Sequence, residues 1–355
     1  MHRPLRHWRL AAAGATAALA LSAAGGIAAG ASVPQARAAS SARSAQVRAH
    51  SSSSGVYYEL YQSCPDNPFW AAVNNGGKAA AAALHVTLKI EDPLRCSGEI
   101  AAENDLLTTI VNSHPAGVAV SVVSTSAFSA NIQKARSMHI PIIAYNSLPH
   151  NNNFTTDPVE AYVGQPNELA GEALAKKAVS QFHLHAGGTI MVADQCYTNV
   201  TCNDRYKGVE KVVAPMHIKV DVLNLDYNVP QSASIVKSWL QVHGKPELVV
   251  ALGSAGEQAV VEGATPLHYT PSKLTMVGFD DDATTNTYME NGWVKITVDQ
   301  QPFLQGYDAL VNLYDAAHFK TYPINMDTGP VLLVHSAADI SKGWFKPSVV
   351  NNTGL

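Results

Sequence analysis

Serine and histidine residues are the first candidates for catalytic chemistry in this sequence. Ser254 is followed by glycine two positions later, but a nucleophile elbow also needs glycine two positions earlier, where Leu252 stands. His183 and His185 could bind a metal, yet no third ligand is evident beside them. The sequence therefore predicts neither an enzyme nor a metal site. Ser254 or the backbone amides beside it could instead bind an oxygen of a ligand.

Three polar residues stand where a helix begins or a strand ends. Asn67 precedes Pro68, which suits a helix N-cap followed by proline in the first turn. Arg205 lies near a predicted helix start, where the helix dipole disfavours a positive charge, so its presence suggests another purpose. Asp280 ends a predicted strand, where a buried carboxylate would need partners.

The chain around these residues alternates strands and helices. Apolar runs such as Gly117–Val123 and Ile140–Tyr145 predict buried strands, while Glu99–Ser113 places its apolar residues on one helix face. Buried strands separated by helices indicate a parallel sheet covered on both faces. The alternation breaks at Asn146–Pro158 and then restarts. Two α/β units in tandem predict a bilobal protein whose ligand cleft lies beyond the carboxyl ends of the strands.

The N-terminus has the pattern of an export signal. Three arginines among the first nine residues precede an alanine-rich apolar stretch, and Ala36-Arg37-Ala38 provides the small residues that signal peptidase requires. We predict a signal peptide over residues 1–38 and a flexible serine-rich linker over 39–55. An uncleaved anchor helix is the alternative. No cysteine lies near the cleavage site, so we expect export to the periplasm or cell envelope without a lipoprotein anchor.

Cysteine chemistry favours disulfide bonds over metal binding. The chain contains four cysteines, and an even number in an exported chain favours two disulfides. Of the three possible pairings we choose Cys196 with Cys202, because they bracket one short loop, which leaves Cys64 with Cys96. Zinc is the alternative, but the sequence contains no CxxC spacing.

Composition excludes several other classes of protein. Of 355 residues, 15% are charged and 46% are hydrophobic, which argues against disorder. A net charge of −4 offers no electrostatic footprint for nucleic acid and disfavours binding to anionic lipid. No strongly apolar run of about 20 residues follows residue 40, so we expect no internal membrane span. No GxxxxGK loop is present, so any ATPase must be a separate chain.

Six short motifs, each weak alone, occur in the order found in a known family. They are Asp66-Asn67-Pro68-Phe69-Trp70, Ile140-Pro141-Ile142-Ile143, Tyr162-Val163-Gly164-Gln165-Pro166-Asn167, Arg205-Tyr206-Lys207-Gly208, Val277-Gly278-Phe279-Asp280 and Thr297-Val298-Asp299-Gln300-Gln301-Pro302. Over roughly residues 56–335 the chain resembles a type I periplasmic sugar-binding protein of the ribose-binding kind.

The resemblance implies an α/β fold of two doubly wound parallel-sheet lobes joined by a three-crossing hinge, with ligand capture by hinge closure. We place the crossings near Ser147–Pro149, Gln300 and Tyr322. The N-terminal lobe would then comprise residues 56–147 and 300–321. The C-terminal lobe would comprise residues 148–299 and 322–355.

The resemblance also implies a site that binds the hydroxyl groups and the apolar C–H faces of a sugar. Amide, carboxylate and guanidinium groups hydrogen-bond the hydroxyls, and aromatic rings pack against the C–H faces. The expected ligand-binding residues are Asn67, Phe69, Trp70, Asn146, Arg205, Tyr227, Ser254, Asp280 and Gln300. Structural alternatives stand beside these roles: core packing for the two aromatic residues of the first motif, capping for Asn67 and Asp280, a solvated helix start for Arg205, and surface or hinge packing for Tyr227.

Two segments depart from the family pattern. Asn146-Ser147 stands where the ribose-type proteins have Asp-Arg, and Gly253-Ser254 stands where they have Asn-Asp. These changes remove a charged pair and an amide from the cleft. They leave the identity of the sugar open and allow a ligand that is not a sugar.

The expected function is an extracytoplasmic solute-binding protein that delivers a sugar or similar small polar ligand to an ABC importer. The alternatives are a sensor that presents its closed form to a membrane signalling protein, and a binder of a non-sugar metabolite. We expect a monomer with no cofactor, no metal and no nucleic-acid partner, and with an ABC transporter permease as its protein partner.

The cysteine pairing gives a first testable prediction. Peptide mapping without reduction should recover the links Cys64–Cys96 and Cys196–Cys202. The first link would close a loop of about 30 residues and add roughly 3 kcal/mol to the free energy of unfolding. Free thiols, or a link between the lobes such as Cys64–Cys196, would contradict this scheme, and the second would also hinder hinge opening.

Overall fold

The computed structural model describes residues 55–62, 67–95, 99–124, 126–148, 159–329 and 332–334. The predicted signal peptide and the pair Cys64 and Cys96 lie outside these residues. Strands and helices alternate along the described chain, as the sequence predicts. None of the described helices combines the length and the apolar character needed to cross a bilayer.

The first lobe is built on a six-stranded sheet. Its strands are β1 (Val56–Leu60), β2 (Thr87–Glu91), β3 (Gly117–Val120), β4 (Ile142–Tyr145), β5 (Tyr162–Gly164) and β11 (Met326–Asp327). Its helices are α1 (Pro68–Leu84), α2 (Glu99–Asn112), α3 (Ser129–Ser137) and α9 (Pro302–Phe319). The strand order is β11-β5-β4-β3-β1-β2, with every neighbouring pair parallel. Helices α1 and α9 cover one face of the sheet, and α2 and α3 cover the other.

The second lobe repeats this plan. Its strands are β6 (Thr189–Asp194), β7 (Lys219–Asn224), β8 (Leu248–Ala251), β9 (Met276–Phe279), β10 (Val294–Asp299) and β12 (Leu332–Val334). Its helices are α4 (Asn167–Phe182), α5 (Val200–Val213), α6 (Val229–His243), α7 (Ser254–Ala264) and α8 (Ala283–Glu290). The order is β12-β10-β9-β8-β6-β7, and only the edge strand β12 is antiparallel to its neighbour. Strands β8 and β9 are buried throughout, as expected of a sheet covered on both faces.

Two of the expected lobe boundaries are wrong. Strand β5 pairs with β4, so the chain from 159 to 164 belongs to the first lobe, although we had assigned it to the second. Strand β11 pairs with β5, so the segment after Tyr322 also returns to the first sheet. The first crossing therefore lies at Gln165–Pro166 and the third between β11 and β12. The short strands β5 and β11 join the first sheet by backbone hydrogen bonds. Strands of so few residues have no sequence pattern that predicts which sheet they join. The second crossing lies at Gln300–Gln301, between β10 and α9.

Helix α5 begins earlier than its sequence pattern suggests. The sequence pattern predicts a helix over Asn203–Ala214, but Asn199 caps α5 by accepting a hydrogen bond from the backbone N–H of Thr201 at 2.8 Å. Arg205 therefore lies in the second turn of α5, where the helix dipole no longer disfavours a positive charge. Its role has to be judged from its contacts.

Two glycines let α4 and α5 approach closely enough to position Arg205. A Cβ atom at Gly171 would lie 2.1 Å from the backbone carbonyl oxygen of Arg205. A Cβ atom at Gly208 would lie 2.1 Å from the backbone carbonyl oxygen of Glu168. Any larger residue at either site must push the two helices apart.

This packing predicts that Gly171→Ala destabilises the second lobe. The added methyl overlaps backbone that cannot rotate away, so we expect the free energy of unfolding to fall by about 1–3 kcal/mol, measured by chemical denaturation. Ser180→Ala, at an exposed position of the same helix, is the matched control and should leave it nearly unchanged. Equal stability of Gly171→Ala and the unmodified protein would show that the helices can separate at no cost.

Candidate functional site

The two lobes enclose a cleft of about 440 Å³, including its open mouth. All nine side chains that the resemblance implied line this one space. They are Asn67, Phe69 and Trp70 at the start of α1, Asn146 after β4, Arg205 on α5, Tyr227 after β7, Ser254 at the start of α7, Asp280 after β9 and Gln300 at the second crossing. Their convergence is a structural fact, while their contact with a ligand stays a prediction.

Six further residues line the cleft that the motifs did not single out. They are Gln62, Gln195, Cys196, Asn199, Thr201 and Ala255. Gln62 and Gln195 stand just beyond the carboxyl ends of β1 and β6, where parallel sheets bind their ligands, so this rule could have found both. Asn199 and Thr201 were missed because the start of α5 was placed too late.

An aromatic wall forms the side of the cleft in the first lobe. Trp70 stacks on Tyr61, with ring centroids 4.0 Å apart and planes inclined by 8°. The ring of Phe69 meets Trp70 edge to face at 5.2 Å, and the ring of Tyr145 also meets Trp70 edge to face, at 6.1 Å. Trp70 is only 5% exposed, so core packing holds the ring while it lines the cleft. The wall can therefore offer a rigid apolar surface to the C–H face of a ligand.

Asn67 caps a helix and also lines the cleft, while its contact with a ligand stays a prediction. Its Oδ1 accepts a hydrogen bond from the backbone N–H of Phe69 at 3.1 Å and so caps α1. The same residue lines the cleft. Capping uses only the amide oxygen, and the NH₂ group is not needed for it.

A charged network faces this wall from the second lobe. The carboxylate of Asp280 accepts hydrogen bonds from the backbone N–H of Ser254 at 3.0 Å and from the side-chain amide of Gln300. Its Oδ1 lies 3.9 Å from Nη1 of Arg205. Both oxygens of this carboxylate therefore have partners within the protein, which tie α7, β9 and the second crossing together.

Arg205 is 3% exposed and is held on several sides. Its Nε donates to Oδ1 of Asn167 at 3.1 Å, and Nη1 donates to the backbone carbonyl of Leu252 at 2.6 Å. The guanidinium carbon lies 4.4 Å from the ring centroid of Phe279. Burial lowers the pKa of Arg205, while the charge of Asp280 acts in the opposite direction. A solvated helix position does not describe this residue.

Asn146 links the cleft to the hinge. Its backbone has a positive φ of 59°, a conformation that asparagine tolerates better than most residues. Its side-chain nitrogen donates to Oε1 of Gln305 on α9 at 3.0 Å. The hydroxyl of Tyr162 donates to its backbone carbonyl at 2.9 Å. A neutral amide fits this position, because its immediate partners are neutral amide and hydroxyl groups.

The loop before α5 is closed by a disulfide and contacts the other lobe. Cys196 and Cys202 form the disulfide that the sequence predicted, with their Cα atoms 5.7 Å apart. The backbone N–H of Val200 donates to the carbonyl of Val123 in the first lobe at 3.2 Å. The hydroxyls of Thr201 and Ser147 also meet across the cleft. We call residues 196–202 the clasp loop, because it joins the lobes in this closed arrangement.

The candidate metal ligands do not form a metal site in the described part of the chain. Asp194 lies beside the sulfurs of Cys196 and Cys202, but these sulfurs are bonded to each other and so are not available as thiolates. Burial raises the pKa of Asp194 to about 6. His185 lies 3.2 Å from Glu247 on an exposed surface.

The fold and the site together define a class of protein. Two α/β lobes joined by three crossings, with a polar cleft between them, form a bilobal solute-binding protein. A family model described as a periplasmic binding protein domain matches residues 62–321. The chain belongs to this family, whose members bind solutes outside the cytoplasm.

Comparisons with individual proteins agree with this assignment. The chain is 26% identical over 312 residues to the xylose/arabinose-binding protein XylF of Sulfolobus acidocaldarius, covering 80% of this chain and 77% of XylF. It resembles a periplasmic sugar-binding protein of an ABC transporter from Legionella pneumophila, with a TM-score of 0.69, 25% identity and coverage of 78% and 99% of the two chains. A carbohydrate transporter structure from Acidothermus cellulolyticus, in complex with myo-inositol, matches with a TM-score of 0.72, 22% identity and coverage of 83% and 99%.

The clasp loop predicts a measurable effect of its disulfide. Replacing both Cys196 and Cys202 with serine should lower the free energy of unfolding by about 2 kcal/mol, because so short a loop constrains the unfolded chain modestly. The backbone amide of Val200 should also exchange its hydrogen faster, since the loop that holds it against Val123 is freer. Hydrogen exchange with mass spectrometry measures the second effect.

The control is a Cys64→Ser/Cys96→Ser variant, in which Cys196 and Cys202 are the remaining cysteines, compared with and without dithiothreitol; reduction of this variant should reproduce both changes. The prediction is wrong if the variant without Cys196 and Cys202 keeps the stability and the Val200 exchange rate of the oxidised protein.

Proposed function

We propose that this protein is an extracytoplasmic solute-binding protein that captures a neutral sugar or cyclic polyol and delivers it to an ABC importer. One observation carries the proposal: the aromatic wall of the first lobe faces the Arg205–Asp280–Gln300 network of the second lobe and hinge across one cleft. Aromatic rings suit the C–H face of a sugar ring. Amide and carboxylate groups suit its hydroxyls.

The charge of the cleft supports a neutral ligand. Arg205 and Asp280 are the charged residues among those that line it, and their charges oppose each other. The positive charge of Arg205 is already offset by the Asp280 carboxylate 3.9 Å away, so a ligand carboxylate or phosphate would meet little net positive charge in the cleft. The remaining polar lining consists mainly of amides, which recognise neutral hydroxyl groups.

Transport supplies the biological setting of the proposal. The family, the XylF relative and the two structures are all solute-binding components or carbohydrate transporters. The sequence contains no phosphate-binding GxxxxGK loop, so energy for uptake would come from separate chains that meet this protein at a permease. Export by the N-terminal signal and action as a monomer complete the proposal.

A thermal-shift screen followed by calorimetry tests the ligand class. D-xylose, L-arabinose and myo-inositol are the first probes, since the relatives named above bind xylose, arabinose or myo-inositol. A ligand at 100 times its dissociation constant stabilises the native state by about 2.7 kcal/mol, which shifts the melting temperature visibly. D-galacturonate carries a carboxylate and tests whether the cleft accepts a charged sugar. We expect it to leave the melting temperature unchanged. A response to galacturonate but to no neutral sugar or polyol would contradict the proposal.

Two substitutions test whether the charged network binds the ligand. In Asp280→Ala and Arg205→Ala one buried charge loses its partner, and we expect calorimetry to show a loss of about 2–5 kcal/mol in binding free energy. Asp105→Ala and Arg136→Ala remove the same side-chain types from exposed helix positions and should bind as the unmodified protein does.

Circular dichroism decides between loss of binding and loss of the fold. Asp280→Asn is a milder second variant, because it keeps the shape of the carboxylate while removing its charge and turning one acceptor oxygen into an NH₂ donor. Unchanged affinity in Arg205→Ala and in both Asp280 variants, with the fold intact, would mean that the ligand binds elsewhere.

A further inference from the structure

Gln305 is a fully buried residue that joins two residues of the cleft lining from behind. It is the fourth residue of α9. Its Oε1 accepts a hydrogen bond from the side-chain nitrogen of Asn146 at 3.0 Å, and its Nε2 donates to the backbone carbonyl of Gln300 at 3.1 Å. Nε2 also lies 3.3 Å from the hydroxyl of Thr328, which donates to the same carbonyl at 2.9 Å. One amide therefore links the end of β4 to the second and third crossings.

The direction of these hydrogen bonds is fixed at the hinge. The backbone carbonyl of Gln300 can only accept, so the Gln305 amide must turn its NH₂ group toward that carbonyl. The amide oxygen of Gln305 then faces Asn146, which has to supply a donor. Turning the Gln305 amide over would set its oxygen against the oxygen of Gln300, and its NH₂ group against the NH₂ group of Asn146. The side chain of Asn146 is therefore held in one orientation.

The same chain of hydrogen bonds continues across the cleft. The hydroxyl of Ser147 donates to Oδ1 of Asn146 at 3.2 Å. A hydroxyl carries one hydrogen, so the contact between Ser147 and Thr201 must use the hydrogen of Thr201. Donors and acceptors thus follow a single direction from the clasp loop, through Asn146 and Gln305, to the hinge. Hydrogen bonds in such a chain polarise one another, so the loss of one member weakens the rest.

This direction explains one departure from the family pattern. Asn146 stands where the ribose-type proteins have aspartate. An ionised aspartate can only accept hydrogen bonds, and its carboxylate would face the amide oxygen of Gln305 in a buried position. Asparagine supplies the donor that Gln305 requires, and it tolerates the positive φ of 59° at this position. The residue at position 146 is therefore matched to Gln305.

We propose that Gln305 is a positioning residue for solute binding. Its amide sets the orientation of the Asn146 side chain and connects the contact between Ser147 and the clasp loop to the second and third crossings. Gln305 acts through these residues and does not touch the ligand. Its effect on ligand affinity rests on the neutral sugar or polyol function proposed above, while its effect on the clasp loop needs no ligand.

Two variants change the amide in different ways. Gln305→Ala removes its hydrogen bonds. Gln305→Glu keeps the size of the side chain but places an oxygen against the Gln300 carbonyl, and it can donate only when the carboxyl is protonated. At about pH 8 we expect each variant to bind the tightest of D-xylose, L-arabinose and myo-inositol about tenfold more weakly by calorimetry. At about pH 5 Gln305→Glu should recover most of this affinity, because burial favours the protonated carboxyl, and Gln305→Ala should not.

The recovery is specific to the new carboxyl. The groups that contact the Gln305 side chain are an amide, a hydroxyl and a backbone carbonyl, none of which titrates in this range. The carboxylates next in the network are those of Asp280, bound by the Gln300 side chain, and Asp299, bound by the backbone N–H of Gln301. Both are present in the unmodified protein, which therefore supplies the baseline at each pH. Gln241→Glu, at an exposed position of α6, is the matched control and should follow that baseline.

Hydrogen exchange in the ligand-free protein tests the connection to the clasp loop. The backbone amide of Val200 is held by the carbonyl of Val123. Relative to the unmodified protein at the same pH, this amide should exchange faster in Gln305→Ala at both pH values. In Gln305→Glu it should exchange faster at about pH 8 and close to normally at about pH 5. Thermal melting checks that each variant is folded.

The outcomes separate this proposal from the function on which its affinity effect rests. If the unmodified protein binds one of the three ligands and Gln305→Glu binds it equally well at about pH 8, the positioning role is refuted and the function stands. A loss in Gln305→Glu that does not recover at about pH 5 also refutes it, since a packing defect would not respond to protonation. If none of the ligands binds, the proposed function fails, and unchanged exchange at Val200 in both variants would then refute the role of Gln305 as well.

Discussion

The buried pair of Arg205 and Asp280 is the interaction on which the rest of the site depends. Removing two charges from water is costly, and the cost is recovered only when nearly every donor and acceptor of the pair has a partner. Here Asn167, Leu252, Ser254 and Gln300 supply those partners. They come from three separate segments of the chain, so the pair is satisfied only when the second lobe and the hinge are correctly assembled. The requirement for charge compensation thereby fixes the shape of the site.

Parallel β-sheets bring these segments together. The carboxyl ends of β6, β8, β9 and β10 lie along one edge of the second sheet, and each is followed by a residue that lines the cleft or supports it. The close approach of α4 and α5 at Gly171 and Gly208 then presses Arg205 toward this edge. Fold and site are therefore specified by the same contacts.

Sequence reasoning found the site better than it found the lobe boundaries. The nine residues that the family resemblance implied all line one cleft, because its motifs lie at helix starts and strand ends that face this cleft. The boundaries failed at β5 and β11, since strands of two or three residues gain their pairing from the assembled sheet rather than from their own pattern. Gln195 escaped notice for a related reason. Only packing in three dimensions shows that the Gln195 side chain, which follows β6, occupies the space beside Gly253.

The clasp loop affects the equilibrium between the open and closed forms of the protein. Its two hydrogen bonds to the first lobe, from Val200 to Val123 and between Thr201 and Ser147, join protein to protein and do not require a ligand. They lower the free energy of the closed form whether or not the cleft is filled. A share of empty molecules is therefore closed at equilibrium, and the ligand needs to supply only the remaining bias. The strength of the clasp thus sets both the apparent affinity for a ligand and the fraction of protein that is closed but empty.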